Sequence, residues 1–184
     1  MKGIGKVVLA VMALGLGMNV GAQFNPGMTA GEVQVEVVAQ LEEKSLADVI
    51  AAMSAAGLPV DVIIATFVSV AGKPGFESIT LETIVQAAIV AGLPAATVVS
   101  AVIRAADALP GGIDTAAVAA VVEAAVAADV AANGTNADLL GIAQAAADTG
   151  KLGFSEAGVL VGATVVTVEQ PTLVEPEEPA VSVR

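Results

Sequence analysis

The stretch SLADVIAAMSAAGLPVDVIIATF, residues 45–67, decides the fold. Ser45 followed by Asp48 is a typical helix start, and Gly57 ends that helix because glycine adopts the left-handed conformation at little cost. Pro59 then opens a second helix, since a first-turn residue needs no N–H partner. The apolar face of the first helix comprises Leu46, Val49, Ile50 and Met53, and that of the second comprises Val60, Ile63, Ile64 and Phe67. The stretch therefore predicts a helical hairpin.

The same pattern returns in TLETIVQAAIVAGLPAATVVSAV, residues 80–102. The four residues Ala-Gly-Leu-Pro occupy positions 56–59 and 91–94, an offset of 35 residues, and the apolar positions on both sides match at the same offset. Self-similarity at such a period is typical of stacked helical hairpins. We therefore expect an all-α fold of Ala/Val-rich hairpins in tandem, either a compact bundle or a short α-solenoid.

A third, degenerate copy is predicted after residue 113. Asp114 or Thr115 is expected to cap its first helix, Asn133-Gly134 to break it, and Thr135 or Asn136 to cap its second helix. The apolar face of the first helix comprises Val118, Val121, Val122 and Val126, and that of the second comprises Leu139, Leu140, Ala143 and Ala146.

Two segments allow both a helix and a strand. Val33, Val35 and Val37 alternate with polar residues, as in a half-buried strand, but Thr29 and Glu32 have the spacing of a capping box. A helix is favoured over residues 32–43, with minor β-structure at 32–38 as the alternative. Residues 159–168 are rich in Val, Gly and Thr and fit either a strand or a short buried helix.

The first 22 residues have the three zones of a secretory signal peptide. Lys2 and Lys6 precede an uncharged apolar run, and Val20 and Ala22 suit cleavage before Gln23. We therefore expect an exported protein, periplasmic, at the cell surface or extracellular, from a bacterium. The remaining chain divides into a lead-in segment (23–44), a helical-hairpin repeat domain (45–168) and an acidic Pro/Glu tail (169–184), which is predicted to be disordered.

Composition excludes several kinds of function. After residue 22 the chain has five basic and 19 acidic side chains, a net charge of −14, which opposes binding to nucleic acid and to anionic lipid headgroups. There is no cysteine or histidine in the sequence, so disulfides and the usual zinc ligands are absent. We expect no cofactor and no metal.

No arrangement of residues predicts catalysis, and no catalytic, cofactor-binding or metal-binding residue is assigned. Lys44 with Ser45 is better explained as a helix start, and Arg104, one helical turn after Ser100, stays protonated and is a poor base. Turn and cap roles explain the remaining polar clusters better than calcium binding does. These clusters are Asn133, Thr135, Asn136 and Asp138 at one turn, and Asp107 and Asp114 around Pro110-Gly111-Gly112.

Paired carboxylates for glycoside hydrolysis are also weakly indicated. The candidate pairs are Glu42 with Glu43 and Asp48 with Asp61, and neither has local signs of burial. We therefore expect a non-enzymatic structural or protein-interaction domain, with another protein or a second copy as its partner. The alternative is a membrane-associated protein or one that binds lipid or another apolar ligand, because residues 83–103 contain no charge.

Overall fold

A computed structural model describes residues 24–168 of the chain, and within that range it contains helices and no strand. The predicted signal peptide (1–22), the predicted tail (169–184) and Gln23 lie outside the described residues. A short 3₁₀ turn at Gly134–Asn136 separates the sixth and seventh α-helices. The α-helices are α1 (Ala30–Leu41), α2 (Leu46–Ala55), α3 (Val60–Val70), α4 (Leu81–Val90), α5 (Ala95–Asp107), α6 (Thr115–Asn133), α7 (Leu139–Asp148) and α8 (Phe154–Val168).

The helices form a stack with two layers. Within residues 24–168, each α-helix contacts only the α-helices one or two places away along the chain. Contacts two places apart join α1, α3, α5 and α7 into one layer, and α2, α4, α6 and α8 into the other. Contacts between consecutive helices join the layers. The all-α prediction is confirmed, and this contact pattern is that of a short solenoid.

Both Gly-Leu-Pro turns have the predicted geometry. Gly57 and Gly92 have φ values of 80° and 87°, in the left-handed region that glycine adopts most easily. After each glycine, a buried leucine, Leu58 or Leu93, donates its N–H back to the preceding helix at 3.2 and 3.0 Å. This bond satisfies one of the helix's last carbonyl groups. The turns thus match at the predicted spacing, but the 35-residue repeat as a complete unit is not confirmed.

Small aliphatic side chains fill the space between the layers. Among residues 24–168, Phe67 is the largest fully buried side chain, and buried Ile and Val side chains from α2 to α6 form the core with it. The predicted faces of the first hairpin are buried except Leu46 and Val60, which are half-buried. The helix α6, predicted as the first helix of a third copy, buries its whole predicted face. Alanine side chains also enter this core, at Ala88, Ala101, Ala125, Ala143 and Ala146 among others.

The alternative of β-structure at 32–38 and at 159–168 is wrong. Thr29 and Glu32 form the capping box that begins α1, and residues 159–168 lie within α8. In α1, Val33 and Val37 are buried while Val35, which a strand would place on the same side, is 72% exposed. Burial therefore follows the helical period rather than the alternation of a strand. The segment 23–44, predicted as a lead-in, contains α1, which contacts α2 and α3.

The predicted start of the third copy's second helix is also wrong. The 3₁₀ turn occupies Gly134–Asn136, so neither Thr135 nor Asn136 caps α7. Asp138 is the N-cap instead, and its carboxylate accepts a hydrogen bond from the N–H of Gly141. Leu140 is 71% exposed, and Ile142 takes its expected place in the core. The inward face of α7 therefore consists of half-buried Leu139 and buried Ile142, Ala143 and Ala146, which have the spacing that a helix requires.

Candidate interaction surfaces

The serines and bases of the two pairs considered in the sequence have other hydrogen-bond partners in the structure. The hydroxyl of Ser45 donates to Asp48 at 2.6 Å and accepts from its N–H, as a helix cap does. Lys44 donates instead to Gln40 at 3.1 Å. Arg104 donates to the backbone carbonyl of Ser100 and pairs with Asp61 at 2.9 Å, so its guanidinium joins α5 to α3.

The two polar clusters considered for calcium have capping and pairing roles. Asp114 caps α6 by accepting from the N–H of Ala117 at 2.7 Å, while Asp107 pairs with Lys151. Asn133 donates to Asp129 at 2.6 Å. Among residues 24–168, no group of three or more acidic side chains is placed to hold a metal ion.

Asp129 has a structural role that was not predicted from the sequence. Its side chain is 4% exposed, and it lies in α6 among alanines and valines. The carboxylate accepts from the side chain of Asn133 and from the backbone N–H of Asp138, both at 2.6 Å. It therefore fixes the connection from α6 to α7. The spacing of Asp129 and Asn133, one helical turn, is the signal that could have revealed it.

The carboxylates considered for glycoside hydrolysis lie on the surface. Glu42, Glu43, Asp48 and Asp61 are all exposed. Asp61 pairs with Arg104, and Asp48 bonds to the helix-cap serine. Their geometry thus indicates surface and capping roles.

Among residues 24–168, three carboxyl groups have lowered pKa values, each mainly because it accepts a hydrogen bond. The backbone N–H of Thr29, and then its hydroxyl, lower the pKa of Glu32. Backbone N–H groups of Glu77 and Gly75 lower the pKa of Glu77. A hydrogen bond from the Lys151 ammonium lowers the pKa of Asp107. Each of these groups is stabilised in its ionised form, as capping and pairing residues are.

Open grooves lie between neighbouring helices of the same layer. A groove of about 510 Å³ lies between α4 and α6, and a second, of about 470 Å³, between α6 and α8. On the other layer, a groove of about 360 Å³ lies between α1 and α3, and one of about 430 Å³ lies between α1 and the segment from Val70, the last residue of α3, to Phe76. Alanine, valine and leucine dominate the walls of the first two, so their chemistry is apolar.

Among residues 24–168, four of the seven large apolar side chains at the surface lie on the outer helices of the stack. Val35 on α1 is 72% exposed, Leu140 on α7 is 71% exposed, and Phe154 and Val159 on α8 are 49% and 71% exposed. Inner helices are not free of such residues, since Val90 on α4 is 70% exposed. Exposed apolar side chains that line a groove are typical of a contact surface.

One described helix is long and apolar enough to cross a membrane. The candidate range covers 115–136, which includes α6, and 39% of its most apolar window is buried inside the protein. This helix contacts α4, α5, α7 and α8, so it is one of the two inner helices of its layer, with α4. The uncharged stretch 83–103 consists of α4 and α5 with the Gly-Leu-Pro turn between them.

The chain was compared with protein-family models, with curated proteins and with solved structures. None of the three comparisons finds a match.

Proposed function

We propose that this chain is an exported, non-enzymatic structural protein that assembles with further copies of itself. The observation that supports this is the two-layer stack, whose helices bury their faces on near neighbours and leave apolar grooves along the outside. Stacks of this kind provide extended surfaces for other proteins. The sequence contains no histidine, the usual base for a serine nucleophile, and no cysteine, so the proposal is of binding rather than catalysis.

The α1–α3 face is the surface on which a second copy is expected to pack. Val35 and Val38 of α1, with Val70 and Phe76, line a groove of about 430 Å³ there. The same groove contains Lys73, one of the few basic side chains of an acidic protein. A positive charge in an apolar groove suits an acidic partner, and every copy of this chain is acidic.

Size-exclusion chromatography with light scattering on residues 23–184 tests self-assembly. We expect the mass to rise with concentration, and the change Val35→Asp to return the protein to a monomer, because it places a charge in the buried contact. Val90→Asp is the matched control, since Val90 is equally exposed but lies on α4. A monomer at every concentration would contradict the proposal, and equal effects of the two changes would contradict this surface.

Export is the second part of the proposal, and it rests on residues 1–22 of the sequence. If the signal is used, protein recovered from the producing cell begins at Gln23 and lies outside the cytoplasm. Cell fractionation with mass spectrometry of the intact protein measures both. Uncleaved protein in the cytoplasmic fraction would contradict export.

A membrane-associated protein is the alternative function, and the composition of α6 is the observation that favours it. Against it, α6 contacts four other helices, so its insertion into lipid would remove an inner member of its layer. Extraction without detergent separates the two functions, because a protein that spans the membrane through α6 would stay in the membrane fraction.

A further inference from the structure

The connection from α6 to α7 contains the one Asn-Gly pair of the sequence, Asn133-Gly134. An asparagine before glycine is prone to deamidation, because glycine has no side chain to hinder the approach of its backbone nitrogen to the asparagine side chain. The other asparagines of the sequence precede valine, proline or alanine. Asn133 is exposed, so water reaches it. The residue types and their exposure therefore suit this connection to spontaneous modification.

Deamidation at this pair begins when the backbone nitrogen of Gly134 attacks the side-chain carbonyl carbon of Asn133. A new bond joins these two atoms, and the bond from that carbon to the side-chain nitrogen breaks. The proton of the attacking N–H passes through water to the departing group, which leaves as ammonia. Water then opens the resulting five-membered succinimide ring at either carbonyl group, which gives aspartate or isoaspartate at position 133. The reaction needs water and no other reagent.

Two hydrogen bonds hold the reacting groups in other positions. The side-chain nitrogen of Asn133 donates to Asp129 at 2.6 Å, which fixes the orientation of the amide. The N–H of Gly134 donates to the carbonyl oxygen of Val130 with the spacing of a helical bond. The buried carboxylate of Asp129 is itself held by the N–H of Asp138 at 2.6 Å. Attack by Gly134 therefore requires that the connection opens first.

The modification would remove the contacts that restrain it. An aspartate at position 133 has no side-chain N–H to donate to Asp129, so repulsion between two like charges replaces the hydrogen bond. Isoaspartate, in addition, lengthens the backbone by one atom between α6 and the 3₁₀ turn. The same carboxylate of Asp129 accepts from Asp138, which is the N-cap of α7. Displacing that carboxylate would therefore loosen the start of α7 as well.

We propose that Asn133-Gly134 is a deamidation site, that the carboxylate of Asp129 controls its rate, and that the reaction permanently loosens the start of α7. The folded connection delays the reaction, and each local opening permits it. The product cannot form the original bond to Asp129 again. Since α7 contacts α5, α6 and α8, the change acts on the last part of the described stack. The proposal depends on neither self-assembly nor export.

Peptide mapping by mass spectrometry of the purified protein, aged in buffer, measures how fast residue 133 becomes a carboxylic acid. We expect the folded protein to react at least about tenfold slower than the same chain in guanidinium chloride, because local opening limits the reaction. Asp129→Ala should raise the rate in the folded protein at least about fivefold, since the Asn133 amide loses its partner. Asn136, which precedes alanine in the same connection, is an internal control and should react more slowly in every sample.

Two variants separate the role of Asp129 from a general loss of stability. Glu123→Ala, at an exposed position of α6, should leave the deamidation rate unchanged. Gly57→Ala strains the turn between α2 and α3, which contact neither α6 nor α7, and should also leave the rate unchanged because the opening is local. Circular dichroism verifies that every variant is folded.

Hydrogen exchange measures the effect of the modification on α7. Asn133→Asp reproduces one product of the reaction. We expect it to increase the exchange rates of the Asp138 N–H and of the first turn of α7 at least about threefold, because their restraint by Asp129 is lost. Asn136→Asp adds the same charge in the 3₁₀ turn and is the matched control, which should leave the exchange of α7 unchanged.

Three outcomes would overturn the proposal. Equal deamidation rates in folded and unfolded protein would mean that the folded connection does not restrain Asn133. An increase from Asp129→Ala that is no larger than the increase from Gly57→Ala would mean that global unfolding controls the reaction. Unchanged exchange in α7 after Asn133→Asp would mean that the modification does not loosen this helix.

Discussion

The carboxylate of Asp129 accepts a hydrogen bond of 2.6 Å from the backbone N–H of Asp138, nine residues later in the chain. The side chain of Asn133 donates to the same carboxylate, also at 2.6 Å. The buried carboxylate of Asp129 in α6 thus bonds to both ends of the irregular connection to α7, at Asn133 and at Asp138. A carboxylate is suited to this role because it accepts several hydrogen bonds at once.

Replacing Asp129 should therefore destabilise the protein. We expect Asp129→Ala to lower the free energy of unfolding by about 2 kcal/mol, because a hydrogen bond to a charged group is lost and the N–H of Asp138 loses its partner. Urea denaturation measures the change. Glu123→Ala, at an exposed position of the same helix, is the control and should change stability by less than about 0.5 kcal/mol. Equal effects of the two changes would show that the connection does not depend on Asp129.

The two Gly-Leu-Pro turns should respond alike to substitution. Gly57→Ala and Gly92→Ala are each expected to cost about 1 kcal/mol, since alanine is strained at φ values of 80° and 87°. Space is not the cause, because an added Cβ would meet nothing closer than 4.0 Å at either position. Gly31→Ala, within α1, is the control and should stabilise the protein slightly. Thermal unfolding of all three variants measures these effects, and unchanged stability of both turn variants would contradict the assigned conformation.

Local signals are what made these hairpins predictable from the sequence. Caps, glycine stops and helix faces each depend on residues within one or two turns, and these signals predicted the bounds of α2 to α5 closely. The same logic failed at α7, where a 3₁₀ turn with no clear sequence signature moves the helix start to Leu139. Once Asp138 is the cap and Leu139 the first residue of α7, helical spacing places Ile142 rather than Leu140 in the core.

The grooves could not be predicted, because they arise between helices that are distant in the sequence. The groove between α6 and α8 joins Thr115 and Ala119 to Leu152 and Val159, more than 30 residues apart. Its depth depends on how closely α6 and α8 approach, which is a property of the packed stack. The predicted apolar faces identified most of the buried residues, but they did not show which two helices would form a groove at the surface.

The pair of Asp107 and Lys151 should make stability depend on pH at the acid end. The Lys151 ammonium lowers the pKa of Asp107 below its ordinary value of 3.8. A lowered pKa in the folded state contributes stability above the ordinary value, and this contribution disappears as pH falls through the lowered value. We expect Lys151→Met to reduce stability at pH 5 and to have a smaller effect near pH 2.

Urea denaturation of the wild type and of Lys151→Met at several pH values measures this difference. Lys44→Met is the matched control, because Lys44 bonds to a neutral glutamine and should show no such pH dependence. High salt should have a modest influence on the pair, since both side chains are partly exposed. An effect of Lys151→Met that is constant from pH 5 to pH 2 would show that the ion pair is not the cause.

Phe67 is expected to be the most sensitive core position, because the interior around it is built from small side chains. It is fully buried in α3. The change Phe67→Ala should cost about 3 to 5 kcal/mol, since the surrounding helices cannot close the cavity that it leaves. Phe154→Ala is the matched control, because Phe154 is 49% exposed and its loss leaves no enclosed cavity. Denaturation of both variants in urea measures the difference. Comparable losses would mean that the helices close over the cavity at Phe67, as a loosely packed alanine-rich interior would allow, and that close packing is not what stabilises the stack.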